Sequence, residues 1–244
     1  MRAPRFVYLF TLVAVSCAMA QSTAAVGALQ GFVTDPQGGP LAGARVGYRR
    51  VTQYVRVGNS VSPAAGEAFV NGQITADTTG AFATAGLMPG NYALCANVPS
   101  APYIDPCVWG QAVRVTVSAA TTASQNIVLE KGVFLNVRLN DPVGLLPRAG
   151  GTVWTPPKAL VGVTYANGAY QGAQSTSGDS AGRNYQLIVP VGTPFKLRLF
   201  SRDVALADSV GNALDSSGSQ IPFQATADQD QAFTFTVTGP LKVQ

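Results

Sequence analysis

The chain has 244 residues with 16 basic and 12 acidic side chains, no histidine, and only 11% charged residues. A net charge of +4 spread this thinly gives no reason to expect nucleic acid or an anionic membrane as partner. The lack of histidine removes serine–histidine, cysteine–histidine and histidine-ligated zinc chemistry, and the 26 Gly and 16 Pro suit strands and turns rather than helices.

Residues 1–20 read as a signal peptide. Arg2 and Arg5 give a positive start, and Phe6 to Val15 is an apolar run too short to span a bilayer. Ala18-Met19-Ala20 is a small-x-small cleavage site, with Gln21 as the first residue after it. Ala14-Val15-Ser16-Cys17 is a loose lipobox with Ala14 where Leu is usual, so cleavage is preferred over lipid anchoring at Cys17. Cleavage leaves 14 basic residues against 12 acidic, a net +2. The expected location is outside the cytoplasm: secreted, periplasmic or at the cell surface, with no transmembrane segment after the leader.

In the remainder, Leu29, Gly31 and Val33 alternate with Gln30, Phe32 and Thr34 to form a first strand. Asp35-Pro36-Gln37-Gly38-Gly39 is turn chemistry, because Asp caps, Pro presets φ and Gly permits positive φ. Val46 and Tyr48 continue on one face, and Val51, Val55 and Val57 extend that strand or start another. Gly58 to Gly66 is a polar loop, Ala68 to Thr75 a strand, and Thr75 to Gly80 a turn. Asn91 to Ala96 alternates as a half-buried strand; Cys107 to Val117 and Ser124 to Leu129 supply two more. Glu130-Lys131-Gly132 marks a short join, so two flanking modules should pack closely.

Beyond the join, Val133, Leu135, Val137 and Leu139 alternate with Phe134, Asn136 and Arg138. Pro147 to Pro157 is irregular, Leu160 to Tyr165 a strand, and Ala166 to Gly182 a Gly/Ser/Gln-rich loop. Tyr185 to Val189 and Phe195 to Leu199 are strands. Val204 to Ser219 is polar, with room for a brief helical turn. Phe233, Phe235 and Val237 share one face of a closing strand.

Two signatures recur. Thr34-Asp35-Pro36 and Gly38 return as Asn140-Asp141-Pro142 and Gly144. Asp77, Gly80, Phe82 and Leu87 return as Asp179, Gly182, Tyr185 and Leu187. Matched offsets indicate two copies of one small unit. The expected fold is all-β: two tandem β-sandwich modules, prealbumin-like or Ig-like, at 21–131 and 132–244 after the signal peptide at 1–20.

Gly31-Phe32-Val33-Thr34-Asp35, Gly38-Gly39-Pro40-Leu41-Ala42-Gly43-Ala44-Arg45-Val46, Thr75 to Phe82, and Gly86-Leu87-Met88-Pro89-Gly90-Asn91-Tyr92 come in the order of a carboxypeptidase regulatory-like domain. Residues 28–98 resemble that family; 132–240 resemble it weakly, since Gly144-Leu145-Leu146-Pro147 departs from the Gly-x-Pro-Leu order. The stretch between Val46 and Thr75 is long for the family and suggests an inserted loop or hairpin. The resemblance implies a transthyretin-like sandwich and no peptidase activity.

Two cysteines, Cys95 and Cys107, remain after the leader; an even count in an exported chain reads as a disulfide. Tyr103 inside that loop, Trp109 just past it, and Trp154 are candidate ligand-binding aromatics, which could stack on sugar rings or pack in the interior or at the module interface. Arg45, Arg49, Arg50 and Arg56 form a candidate basic patch, suited to an anionic polymer or to ordinary strand decoration. Asp228 with Asp230 lies in a turn and reads as solvated rather than as a glycosidase pair. Asp203 with Asp208 lacks calcium-loop spacing. No catalytic residue, cofactor or metal is implied. The function expected is a non-enzymatic extracellular or envelope structural or interaction module with a protein or polysaccharide partner; the alternative is carbohydrate binding. Mass spectrometry of exported protein should give an N-terminus at Gln21, and a diacylated Cys17 would overturn the cleavage reading.

Overall fold

The computed structural model describes residues 25–57, 60–63, 70–99, 101–146, 158–165, 168, 170–215, 219–226 and 229–241. The readings placed on 1–20, Cys17, Trp154 and Asp228 lie outside the described residues.

The first sandwich comprises β1 (Gly27–Thr34), β2 (Arg45–Arg50), β3 (Tyr54–Val57), β4 (Ser60–Pro63), β5 (Asn71–Thr75), β6 (Ala81–Leu87), β7 (Gly90–Asn97), β8 (Val113–Val117), β9 (Thr122–Ser124) and β10 (Ile127–Val128). One sheet has β1 at its centre, antiparallel to β6 and parallel to β9 and β10. The other runs β5-β2-β7-β8. The long stretch after Val46 forms a separate hairpin, β3 with β4, so the polar stretch from Gly58 contains a strand. Cys107 to Gly110 is a turn, and the strand after the disulfide starts only at Val113.

The second sandwich comprises β11 (Gly132–Asn140), β12 (Ala159–Thr164), β13 (Tyr170–Gly172), β14 (Gln174–Asp179), β15 (Gly182–Pro190), β16 (Pro194–Ser201), β17 (Val204–Ala207), β18 (Ser219–Gln224) and β19 (Gln231–Pro240). Its sheets run β14-β15-β11-β19-β17 and β13-β12-β16-β18. Two segments differ from their sequence reading. The Gly/Ser/Gln-rich stretch before Gly182 contains β13 and β14, because β14 is exposed at every residue and shows no alternation to read. Val204 begins a strand rather than a helical turn, with Leu206 and Ala207 buried.

The two sandwiches share one connectivity. β1 pairs antiparallel with β6 and parallel with β9 and β10; β11 pairs antiparallel with β15 and parallel with β19. The sheet β5-β2-β7-β8 corresponds strand for strand to β13-β12-β16-β18. The second sandwich adds β14 beside β15 and β17 beside β19.

The cores follow the alternation. Leu29 and Val33 of β1 face inward with Val46, Phe82, Leu94 and Ile127. Leu135, Val137 and Leu139 of β11 face Val161, Leu197, Leu199 and Phe235. Each fully buried Leu or Val is worth about 1.5–3 kcal/mol over its exposed state, so these inner faces hold the register. Tyr92 has no exposed surface, and its hydroxyl donates to Met88 O at 2.7 Å. That bond explains why Pro89-Gly90 turns the chain sharply ahead of Tyr92.

Aspartates close the turns. After β1, Asp35 Oδ1 accepts from the N–H groups of Gln37 at 2.9 Å and Gly39 at 2.7 Å. After β11, Asp141 accepts from Leu145 at 2.9 Å and Leu146 at 2.7 Å, and is only 5% exposed. Asp77 takes the N–H groups of Thr79 and Ala81, and Asp208 those of Val210 and Asn212. The paired glycines of the repeat have a steric reason. A Cβ at Gly80 (φ +77°) would lie 2.6 Å from Val33 O, and one at Gly182 would overlap Leu139 O.

Hydrogen bonding holds three carboxyls below the usual 3.8: Asp77 through the Thr79 hydroxyl first, Asp179 through the Arg138 guanidinium, and Asp208 through the Asn212 amide. A lowered folded value means stability that is full above 3.8 and is lost as pH falls through the folded values. Urea midpoints should therefore drop as pH is lowered from 4 toward 2, with a shallower drop in Asp179→Asn; an unchanged slope would sink the assignment. Asp141→Ala leaves two N–H groups without their acceptor and should cost about 2–4 kcal/mol in urea unfolding, more than Asp35→Ala at its more exposed turn.

Candidate functional site at the junction of the two sandwiches

Cys95 lies on the outer, half-buried face of β7, whose inner face carries Tyr92, Leu94 and Ala96. Cys107 meets it across a Cα–Cα distance of 5.3 Å, and the two form a disulfide. Asp105 sits beside both sulfurs. Its carboxylate accepts from the Cys107 N–H at 2.8 Å. Burial pushes this carboxyl up, against the Cys107 and Val108 hydrogen bonds that pull it down. With both sulfurs oxidised, the trio has no thiolate to offer a metal.

The loop closed by the disulfide lies along the join between the sandwiches. Ile104 N donates to Glu130 O at 2.8 Å, Gly132 N donates to Pro102 O at 2.6 Å, and Tyr103 bridges Lys131. Gly132 has a steric reason here, because a Cβ would lie 2.6 Å from the backbone Val189 O as well as against the Ile104 side chain. The turn after Cys107 then carries Val108 and Trp109 onto the core of the second sandwich. Trp109 meets Tyr165 edge-on, with centroids 4.9 Å apart, and Phe195 at 5.6 Å. Phe223 and Phe233 continue the row of rings.

Clefts open on either side of Trp109. One, of 640 Å³, has Tyr165, Tyr170, Gln111, Gln171 and Glu130 on its walls. The other, of 290 Å³, has Tyr103, Asp105, Asn97, Gln171, Gln174 and Gln186. Amides, aromatic rings and aliphatic side chains make up most of the walls, each cleft has one carboxylate, and among the described residues no basic side chain lines either. Such walls offer hydrogen bonds and apolar contact to an uncharged ligand.

The sequence-chosen residues are distributed unevenly around this junction. Tyr103 and Trp109 both reach it, each half-buried, with Tyr103 packed against the first core and Trp109 against the second. Tyr165, Tyr170 and Gln171 join them without having been singled out, because nothing in linear spacing brings β12 and β13 to the disulfide loop. The four arginines do not gather. Arg45 and Arg49 are exposed on one face of β2, Arg50 turns to the other and donates to Pro89 O at 2.9 Å, and Arg56 lies on the β3–β4 hairpin. Asp203 lies 3.9 Å from Arg202, whereas Asp208 caps its own turn. Asp230 accepts from the Phe134 N–H at 3.1 Å and thereby fastens β19 to β11.

No protein-family profile matches the chain, and no curated protein matches it in sequence. Among solved structures it is similar to the TIE protein of Bacillus anthracis, at 13% identity and a TM-score of 0.33 over 90% of this chain and 34% of that one. It is similar to a streptococcal ancillary pilin at 13% identity and a TM-score of 0.38, over 88% of this chain and 63% of the pilin. It is also similar to the shaft pilin SpaA of Lactobacillus rhamnosus GG at 12% identity and a TM-score of 0.28, over 90% of this chain and 100% of the pilin. The chain thus spans about a third of the first and under two thirds of the second. Among the described residues no helix is long and apolar enough to cross a membrane.

Reducing the disulfide should cost about 3 kcal/mol, the loop-closure value for a loop of this size, and lower the melting temperature by several degrees. Two free thiols in the native protein would refute the bond. Trp109→Ala should cost about 2–3 kcal/mol, below a fully buried Trp because the ring is half-buried, and raise the radius of gyration in small-angle scattering, because the ring that anchors the disulfide loop on the second core is gone.

Proposed function

We propose that the chain is an exported, non-enzymatic structural or interaction module whose first sandwich is of carboxypeptidase regulatory-like type. One observation carries the reading: seven of the twelve acidic side chains are engaged in holding the backbone. Asp35, Asp77, Asp105, Asp141, Asp179, Asp208 and Asp230 each accept backbone N–H groups that hold a turn or join strands. With no histidine in the chain, few groups remain for proton transfer. The disulfide suits an oxidising compartment, and the signal-like leader suits export. The membership of the first sandwich is supported by its turns. The Asp35 cap, the Gly80 close approach and the Tyr92–Met88 bond give physical roles to the residues that carry the resemblance.

The amide-and-aromatic clefts beside Trp109 favour a second reading, binding of a neutral glycan. The discriminating experiment is retention of the exported protein on insoluble polysaccharides and cell-wall material, beside Trp109→Ala and Tyr103→Ala. Retention that both variants keep supports docking through other surfaces. Retention that they lose moves the function to the clefts. Turnover of a polysaccharide or peptide substrate would overturn the non-enzymatic reading.

A further inference from the structure

The shared connectivity exposes a difference at one edge. In the second sandwich, β15 is flanked by β11 on one side and β14 on the other. In the first, the equivalent strand β6 ends its sheet, and among the described residues no strand lies beyond it. Several of the other edges carry protection: β8 has Arg114, β18 has Pro222, and β14 has a register shift between Ser175 and Ser177, while β5 and β13 are short. Over β17, Leu214 N bonds back to Leu206 O. β6 reads Ala81-Phe82-Ala83-Thr84-Ala85-Gly86-Leu87, with no charge and no proline; its bulge at Gly86 lies at the far end and leaves Ala81 to Ala85 in continuous register with β1.

The direction of its backbone groups follows from β1. Ala28 N bonds Thr121 O, Gln30 O receives Gln125 N, and Phe32 N bonds Asn126, so these three residues turn their polar groups away from β6. Their register partners are Ala85, Ala83 and Ala81. In an antiparallel ladder both members of such a pair point outward, so Ala83 and Ala85 present N–H and C=O along the open edge. Ala81 is already tied to Asp77.

We infer that β6 docks a second copy of this chain, β6 against β6 in antiparallel register about Thr84. This deepens the interaction-module reading and rests on it. The segment is self-complementary: Ala83 meets Ala85 of the copy and Ala85 meets Ala83, which gives four backbone hydrogen bonds between groups of matching direction. The side chains opposed on the outer face are methyl groups, and Thr84 faces its own copy, a pair sheets accommodate well. No like charges oppose one another, so a two-fold axis costs no repulsion. Exposed Phe32 flanks the same edge on β1, with 47% of its surface open.

Sedimentation equilibrium of the exported protein tests this, with three variants. The wild type should show twice the chain mass. Ala83→Pro removes an N–H that β1 does not use, and the pair Ala83→Lys with Ala85→Lys places like charges across the axis; both should sediment at the single-chain mass with an unchanged melting temperature. Thr84→Cys should give a disulfide-linked pair on denaturing electrophoresis that reducing agent separates, while the reduced native protein still sediments at twice the chain mass; no crosslink at position 84 counts against the register. A monomeric wild type, or a dimer that survives in both the Pro and the Lys variants, overturns the proposal. Retention on cell-wall material is read separately, so a monomer that is still retained sinks the dimer and leaves the interaction role standing.

Discussion

At the end of the first strand of each sandwich, a carboxylate takes two backbone N–H groups that no neighbouring strand is placed to take. Asp35 does this with Gln37 and Gly39, and Asp141 with Leu145 and Leu146. Both strands are flanked on each side, β1 by β6 and by β9 and β10, β11 by β15 and β19. The chain must therefore leave the sheet at once and cross to the facing one. At Asp141 the core closes over the crossing, where an unpaired buried donor costs as much as a core methyl or more; at the more exposed Asp35 the carboxylate fixes the turn instead. The Asp141 carboxylate removes that cost with one side chain. Glycine handles the return, since Gly80 and Gly182 bring the chain against Val33 O and Leu139 O, where no Cβ fits. The spacing of Asp and Gly in the repeat is the trace of this crossing.

This is why the inner strands could be read from residue types alone. β1 and β11 alternate between a core face and a solvent face, and their alternation survives intact in the burial of Leu29, Val33, Leu135 and Leu139. The second copy remained legible although its turn lost the Gly-x-Pro-Leu order, because Asp141 keeps the same carboxylate at the same point. β14 was not legible for the opposite reason. Every residue in it is exposed, so burial imposes no period-2 pattern, and the strand exists through its ladder to β15 and the Arg138–Asp179 pair. The turn after Cys107 was hidden by apolar residues, Val108 and Trp109, that serve another module's core rather than a strand of their own.

The disulfide gains its meaning from that placement. It braces a loop whose two ends do different work: Pro102 and Ile104 bond the join, while Trp109 crosses to the second core. A flexible loop could make the same contacts only by paying the ordering entropy of each residue in it. With the loop closed covalently, part of that entropy is already gone in the unfolded chain. Neither the loop nor the far side of the junction could be paired from sequence, because Tyr165, just past β12, and Phe195, on β16, are set at their distance from Trp109 by the order of the strands in the sheet.

The two sandwiches differ where their outer faces reach the sheet edge. Counted from the capping aspartates, Phe32 in β1 and Arg138 in β11 hold the same position. Arg138 reaches across the ladder to Asp179 at 2.9 Å and to Asn184 at 3.2 Å, so it fastens the hairpin of β14 and β15 to the sheet centre. Phe32 has no such charge to offer, and the neighbouring strand answers it with alanines. An arginine at that position retains a covering strand by charge-assisted bonds. A phenylalanine beside three alanines leaves the edge apolar and open. Natural sheets commonly blunt exposed edges, and here the second sandwich lays β14 beside β15 while β6 of the first keeps the hydrogen-bonding row on which such a strand would sit.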